Sequence, residues 1–254
     1  MTGALSAARI LVIEHERDAG ASLVGEWLRE CGVQLDVCRP HLGGAVPELV
    51  AHDGLLVLGG AMGALDDDVA PWLPAVRSLL RQAVHDGIPV WGICLGAQLL
   101  AAASGGQVGL GAAGPEVGVV PLQFDAGDDP VFGAMPDVAH AVQFHQDSVS
   151  LLPEGATLLA RSSAYANQVF RVGSCAWGVQ CHPEVTAAQV EEWTRDGSEL
   201  LGRAGVDAWE LVDEVRSRQE EIQAVWEPVA RRWAALAHAR AQQRPALEDT
   251  APAS

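Results

Sequence analysis

The sequence contains no lysine; its 16 basic residues are all arginine. That excludes a P-loop lysine, a Schiff-base lysine and a lysine general base. Positive charge is scarce altogether. Against 33 acidic residues it leaves a formal net charge of −17, which argues against partners such as the nucleic-acid backbone or an anionic membrane surface. No apolar run approaches the length of a membrane span. Met1 to Arg9 offers neither the basic start nor the long apolar stretch of a secretory signal. The five cysteines, Cys31, Cys38, Cys94, Cys175 and Cys181, are odd in number and include no Cys-x-x-Cys pair. A disulfide framework and a zinc cage are therefore not expected, and the thiols read as those of a reduced, cytoplasmic protein. Internal repeats are also absent.

What is present suffices for a large core: 254 residues, of which 49% are hydrophobic. Arg9 to Glu14 forms a compact apolar run suited to a first parallel strand. Asp18 to Cys31 carries helical spacing at Leu23, Val24, Trp27 and Leu28, and Gly32 ends it. Val33 to Cys38 reads as a strand, Pro47 to His52 as a short helix, and Gly54 to Leu58 as a third strand running into Gly59-Gly60-Ala61-Met62-Gly63. Trp72 to Asp86 is a helix and Ile88 to Ile93 a buried strand. This alternation predicts an α/β fold with a doubly wound, mainly parallel sheet flanked by helices. From Val117 the texture changes. Strand-like runs at 117–122, 138–144, 156–160, 168–172 and 176–181 read as added antiparallel strands followed by a return to the main sheet. From Thr186 the pattern is helical, and Pro228 should kink or interrupt the last amphipathic run. We divide the chain into a domain over 1–203 and a helical C-terminal extension over 204–254, with its final residues frayed.

The chemistry concentrates at Gly92-Ile93-Cys94-Leu95-Gly96-Ala97-Gln98. A strand that turns into a helix through Gly-x-Cys-x-Gly is a nucleophile elbow carrying sulfur. The glycines leave room where the turn crowds the backbone. The helix N-terminus beneath the sulfur favours the thiolate. Taken alone, the segment also fits a buried structural cysteine. A nucleophile needs a base, and His182-Pro183-Glu184 supplies an imidazole with a carboxylate to orient it. Gly59-Gly60 and Cys94 both fall at strand carboxyl ends, where doubly wound sheets bind ligands.

These three motifs, in this order and spacing, resemble the class I (triad) glutamine amidotransferases, in particular the stand-alone group related to the glutaminase half of GMP synthase. The likeness runs from about residue 9 to 200. It implies a flavodoxin-like sheet with Cys94 as nucleophile, His182 as general base and acid, and Glu184 as its orienter. Backbone N–H groups of Gly60 and Leu95 would form the oxyanion hole. Gly59, Gln98 and the main chain of Phe144, His145, Gln146 and Asp147 would hold the amino-acid end of glutamine. Glu116-Val117-Gly118 matches a family Glu-(Ile/Val)-Gly segment, whereas Gln146 replaces a usual glycine.

Other features are discounted. Gly109 to Gly114 fits Gly-x-Gly-x-x-Gly but leads into Pro115 and a strand, not a helix, so no dinucleotide cofactor is expected. Asp66-Asp67-Asp68 lacks the partners of a metal site. His145 rivals His182 as the base, but no proline-linked carboxylate accompanies it, so it is assigned to the substrate loop. Trp209, Trp226 and Trp233 are the better interface candidates among the tryptophans, with core packing as the default. The expected activity is release of ammonia from glutamine, passed to a separate synthase partner, with self-association or partner binding through the C-terminal tail. The alternatives are a free-standing hydrolase of γ-glutamyl amides or amines, and an idle glutamine-sensing or scaffold protein.

Overall fold

The computed structural model describes residues 7–49, 51–196 and 198–244. Four successive apolar segments become parallel strands: β1 (Arg9–Ile13), β2 (Gln34–Cys38), β3 (Gly54–Val57) and β4 (Val90–Ile93). Between them lie α1 (Ser22–Glu30) and α2 (Leu73–His85), and α3 (Leu95–Ala103) follows β4. The strands β5 (Gln107–Leu110), β6 (Glu116–Phe124), β7 (Val138–His145), β8 (Asp147–Leu151), β9 (Thr157–Arg161), β10 (Val169–Val172) and β11 (Ala176–Val179) come next. Three helices close the chain: α4 (Ala187–Asp196), α5 (Ser198–Ala204) and α6 (Ala208–Gln243).

The main sheet has the order β2-β1-β3-β4-β11-β10-β9-β6-β7, and β5 pairs with β8 separately. The first five strands are mutually parallel, which is the flavodoxin-like order with β11 in fifth place. The remaining four continue as antiparallel neighbours. Strands β1, β3 and β4 are almost wholly buried because helices cover both faces. One face packs on α1, α4 and α6, the other on α2 and α3.

Several sequence expectations are corrected. Residues 47–49, 51 and 52 are irregular, with a bend at Leu49 and a turn at Ala51, and do not form the short helix expected over Pro47 to His52; residue 50 lies outside the described set. Strands β5 and β8 were not anticipated. Both sit at the rim, are only partly buried and lack clean alternation. Pro228 does not interrupt α6, which runs unbroken past it. A helix-interior proline costs about 3 kcal/mol. Trp226, Val229, Ala230 and Trp233 around it are fully buried against the sheet, and each large side chain returns about 1.5–3 kcal/mol. Trp226 and Trp233 are therefore core residues. Trp226 meets Phe124 and Phe132 edge-on and donates to the His140 carbonyl at 3.0 Å, while Trp233 tilts against Trp91. Of the three tail tryptophans only Trp209 is exposed, at 71%. The frayed end expected beyond Pro245 lies outside the described residues. Among the described residues no helix is long and apolar enough to cross a membrane.

Candidate active site

The parallel strands deliver their carboxyl ends to one edge of the sheet, and each contributes a loop there. At the end of β4 the chain reverses within one residue. Cys94 sits at φ 49° and ψ −106°, and α3 starts at Leu95. A non-glycine residue at such angles costs about 1–3 kcal/mol and persists only where packing enforces it. Here packing does so. A Cβ on Gly92 would lie 2.5 Å from the Gly96 carbonyl oxygen, and one on Gly96 would lie 2.0 Å from that of Val57. The Cys94 N–H is fixed by the Val179 carbonyl at 2.8 Å. The elbow expected from the sequence is thus present, with Cys94 buried at its tip.

Just beyond β11, the His182 N–H bonds the Val142 carbonyl at 2.8 Å, bridging to β7. Its Nδ1 meets Glu184 Oε1 at 2.7 Å, and both residues are almost fully buried. Burial by itself would lower the imidazole pKa. The Glu184 carboxylate and the Cys94 sulfur, which the ring also bonds, outweigh burial and push it up to about 10. Trp193 of α4 lies against the His182 ring, with centroids 4.7 Å apart. Glu184 Oε2 finds no hydrogen-bond partner among the described residues.

The glycine loop after β3 closes over the same point. A Cβ on Gly59 would come within 3.1 Å of His182 Cε1, and one on Gly60 within 2.9 Å of Leu95 Cδ2. Glu16, from the β1–α1 loop, accepts from the Ala61 N–H and holds this loop in place. Burial raises the pKa of that carboxyl, more than the Ala61 bond lowers it.

The segment Phe144 to Asp147 reaches the cleft from β7. Phe144 tilts on Trp193, and Gln146 accepts from Arg203 of α5. Gln98 is buried and donates to the Asp147 carbonyl at 3.0 Å. All the residues expected at the site therefore converge, with one reassignment. His145 does have a carboxylate partner. Its Nε2 meets Glu116 Oε2 at 3.0 Å and its Nδ1 meets the Asp147 carbonyl at 2.9 Å. Glu116 comes from β6, so no local pattern around His145 announces it. Ser162 and Gln168 also donate to Glu116. With both ring nitrogens engaged, His145 is fixed as a brace for the Asp147 main chain.

Three contributors escaped sequence reasoning: Glu16, Trp193 and Gln180. Gln180 was legible in principle, since residues two apart in an extended segment share a face, and it stands two before His182. The open cleft has a volume of about 920 Å³ and continues from Cys94 under α4 and α5. Among the described residues no group of histidine, cysteine and carboxylate side chains could hold a metal ion.

A strained buried cysteine, a buried His–Glu pair and a glycine loop at one sheet edge make up a Cys–His–Glu arrangement of the kind that cysteine hydrolases use. The family model "Glutamine amidotransferase class-I" matches residues 18–197, and the chain belongs to that family. It is 34% identical to gamma-glutamyl peptidase 5 of Arabidopsis thaliana over 61% of this chain and 63% of that protein. It is 32% identical to a glutamine-hydrolyzing GMP synthase component of Natronomonas pharaonis, over 72% of this chain and 92% of that one. The aligned regions thus span just under two thirds of the plant peptidases. Among solved structures, a glutamine amidotransferase from Thermotoga maritima superposes with a TM-score of 0.81 at 27% identity, covering 89% of this chain and 98% of its own. One from Methylobacillus flagellatus gives 0.73 at 30% identity, covering 94% and 95%.

Proposed function

We propose that this protein hydrolyses the side-chain amide of glutamine through a γ-glutamyl thioester on Cys94 and hands the ammonia to a separate synthase partner. The observation that carries the reading is the buried 2.7 Å His182–Glu184 contact beside the elbow sulfur. The Cys94 thiolate attacks the amide carbon. The developing oxyanion meets the N–H groups of Gly60 and Leu95, each such donor typically worth about 3 kcal/mol. The C–N bond breaks as His182 gives its proton to the leaving nitrogen. His182 then takes a proton from water, which attacks the thioester; the C–S bond breaks, and glutamate leaves. Gly59, Gln98 and the main chain of residues 144–147 hold the amino-acid end. A synthase partner is supported by the relative named as one component of a GMP synthase.

A second reading has its own support. The cleft of about 920 Å³ is at the upper end of small-molecule pockets, which run to about 1,000 Å³, whereas glutamine is a small ligand. Space beyond the scissile amide suits a free-standing hydrolase whose leaving group is a larger amine, and relatives named gamma-glutamyl peptidases agree with it. The test is turnover of glutamine and of γ-glutamyl amines by the isolated protein, with Cys94→Ala as control. Hydrolysis that survives in Cys94→Ala, or no turnover together with no labelling of Cys94 by a cysteine-directed glutamine analogue, would overturn the proposal.

A further inference from the structure

The triad leaves one polar contact to the sulfur unused. Gln180 is 1% exposed, and its Nε2 lies 3.5 Å from Cys94 Sγ. On heavy-atom positions alone an amide could face the sulfur with either its oxygen or its nitrogen. Here the neighbours decide. The Asp147 carbonyl can only accept, so the Gln98 atom 3.0 Å from it is the NH₂ group. That same NH₂ lies 3.3 Å from the Gln180 side chain, which must therefore present its oxygen. The Gln180 NH₂ is left facing Cys94. Its backbone is pinned as well, the Gln180 N–H bonding the Gln168 carbonyl at 2.8 Å.

We propose that Gln180 is a catalytic residue that donates an N–H to the Cys94 thiolate, and that Gln98 and the Asp147 carbonyl fix the orientation of its amide. This rests on Cys94 being the nucleophile but not on the identity of the substrate. A donor at the sulfur favours the thiolate over the thiol and holds it pointing into the cleft. His182 alone would not do both, because it must release its proton to the leaving nitrogen. Hydrogen bonds to a charged group are worth about 1.5–3 kcal/mol, roughly tenfold or more in an equilibrium. The chain carries its own brace for this contact. Glu116 holds His145, His145 holds the Asp147 carbonyl, and that carbonyl orients Gln98.

The test is the pH dependence of iodoacetamide alkylation at Cys94, read by mass spectrometry on the tryptic peptide 82–161, in which Cys94 is the sole cysteine. In Gln180→Leu the half-maximal pH should rise by about one unit, with about tenfold slower labelling at pH 7. Gln180→Glu keeps the shape and an acceptor for Gln98 but sets a carboxylate against the sulfur, so its rise should be larger. Melting curves establish that each variant is folded. A folded variant with an unchanged alkylation profile would overturn the proposal. Loss of folding in both would do so too, assigning Gln180 to the core. Normal wild-type alkylation without any γ-glutamyl hydrolysis would instead sink the functional reading and leave this one standing.

Discussion

The His182–Glu184 pair allows a prediction with a defined pH signature. Glu184→Gln keeps an acceptor for the imidazole N–H but removes the charge that chiefly opposes burial. The imidazole pKa should fall from about 10 towards or below its ordinary 6.5. A histidine raised in the folded state stabilises the fold fully below the unfolded value, and that contribution fades as pH climbs through the folded value. The window here runs from about 6.5 to about 10. At about 1.4 kcal/mol per pH unit the whole rise sets a ceiling near 5 kcal/mol. Glu184 supplies part of it, and the retained acceptor returns some, leaving a cost of about 2–3 kcal/mol at pH 6. At about 2–4 °C per kcal/mol for a chain of this size, Tm should fall by about 5–10 °C at pH 6. Wild type and variant should converge near pH 10. Differential scanning calorimetry across that range measures it. An equal Tm difference at pH 6 and pH 10 would refute the argument, because a purely steric role has no reason to titrate there. Hydrolysis should drop by about 10²–10⁴, as when a triad histidine loses the partner that holds its tautomer.

Two other perturbations are sharply defined. Gly96→Ala sets a methyl group 2.0 Å from the Val57 carbonyl oxygen; neither strand β3 nor helix α3 can yield, so thermal melting should show a loss of more than about 3 kcal/mol or no folded protein. Glu116→Gln turns one of the acceptors facing His145, Ser162 and Gln168 into a donor. It should cost about 1–3 kcal/mol, raise KM for hydrolysis, and slow Cys94 alkylation less than Gln180→Leu does, because it loosens the brace on the Gln180 amide without removing the donor at the sulfur.

Legibility in the sequence followed the range of the forces involved. The glycines at 92 and 96 are dictated by an elbow only a few residues long, and the apolar runs of β1, β3 and β4 are dictated by burial on both faces. The first is local and the second leaves its mark as a contiguous apolar run, so both were readable. The rim strands β5 and β8 are held by each other across the chain, and their weak apolar pattern gave no sign of it. Pro228 violated a local rule that long-range burial of Trp226 and Trp233 overrode. The Glu116–His145 contact joins two strands whose register depends on the whole β6–β7 pairing.

The sequence by itself determined the α/β layout, the elbow, and the types of residue that could serve as nucleophile, base and orienter. Motif order and spacing carried these, because backbone geometry at a strand end admits few residue types. Only the tertiary structure decided which surfaces of α6 face inward, that His145 braces the cleft, and which way the amide of Gln180 points. Those outcomes depend on partners dozens of residues away, brought together by the packing of the sheet and its helices.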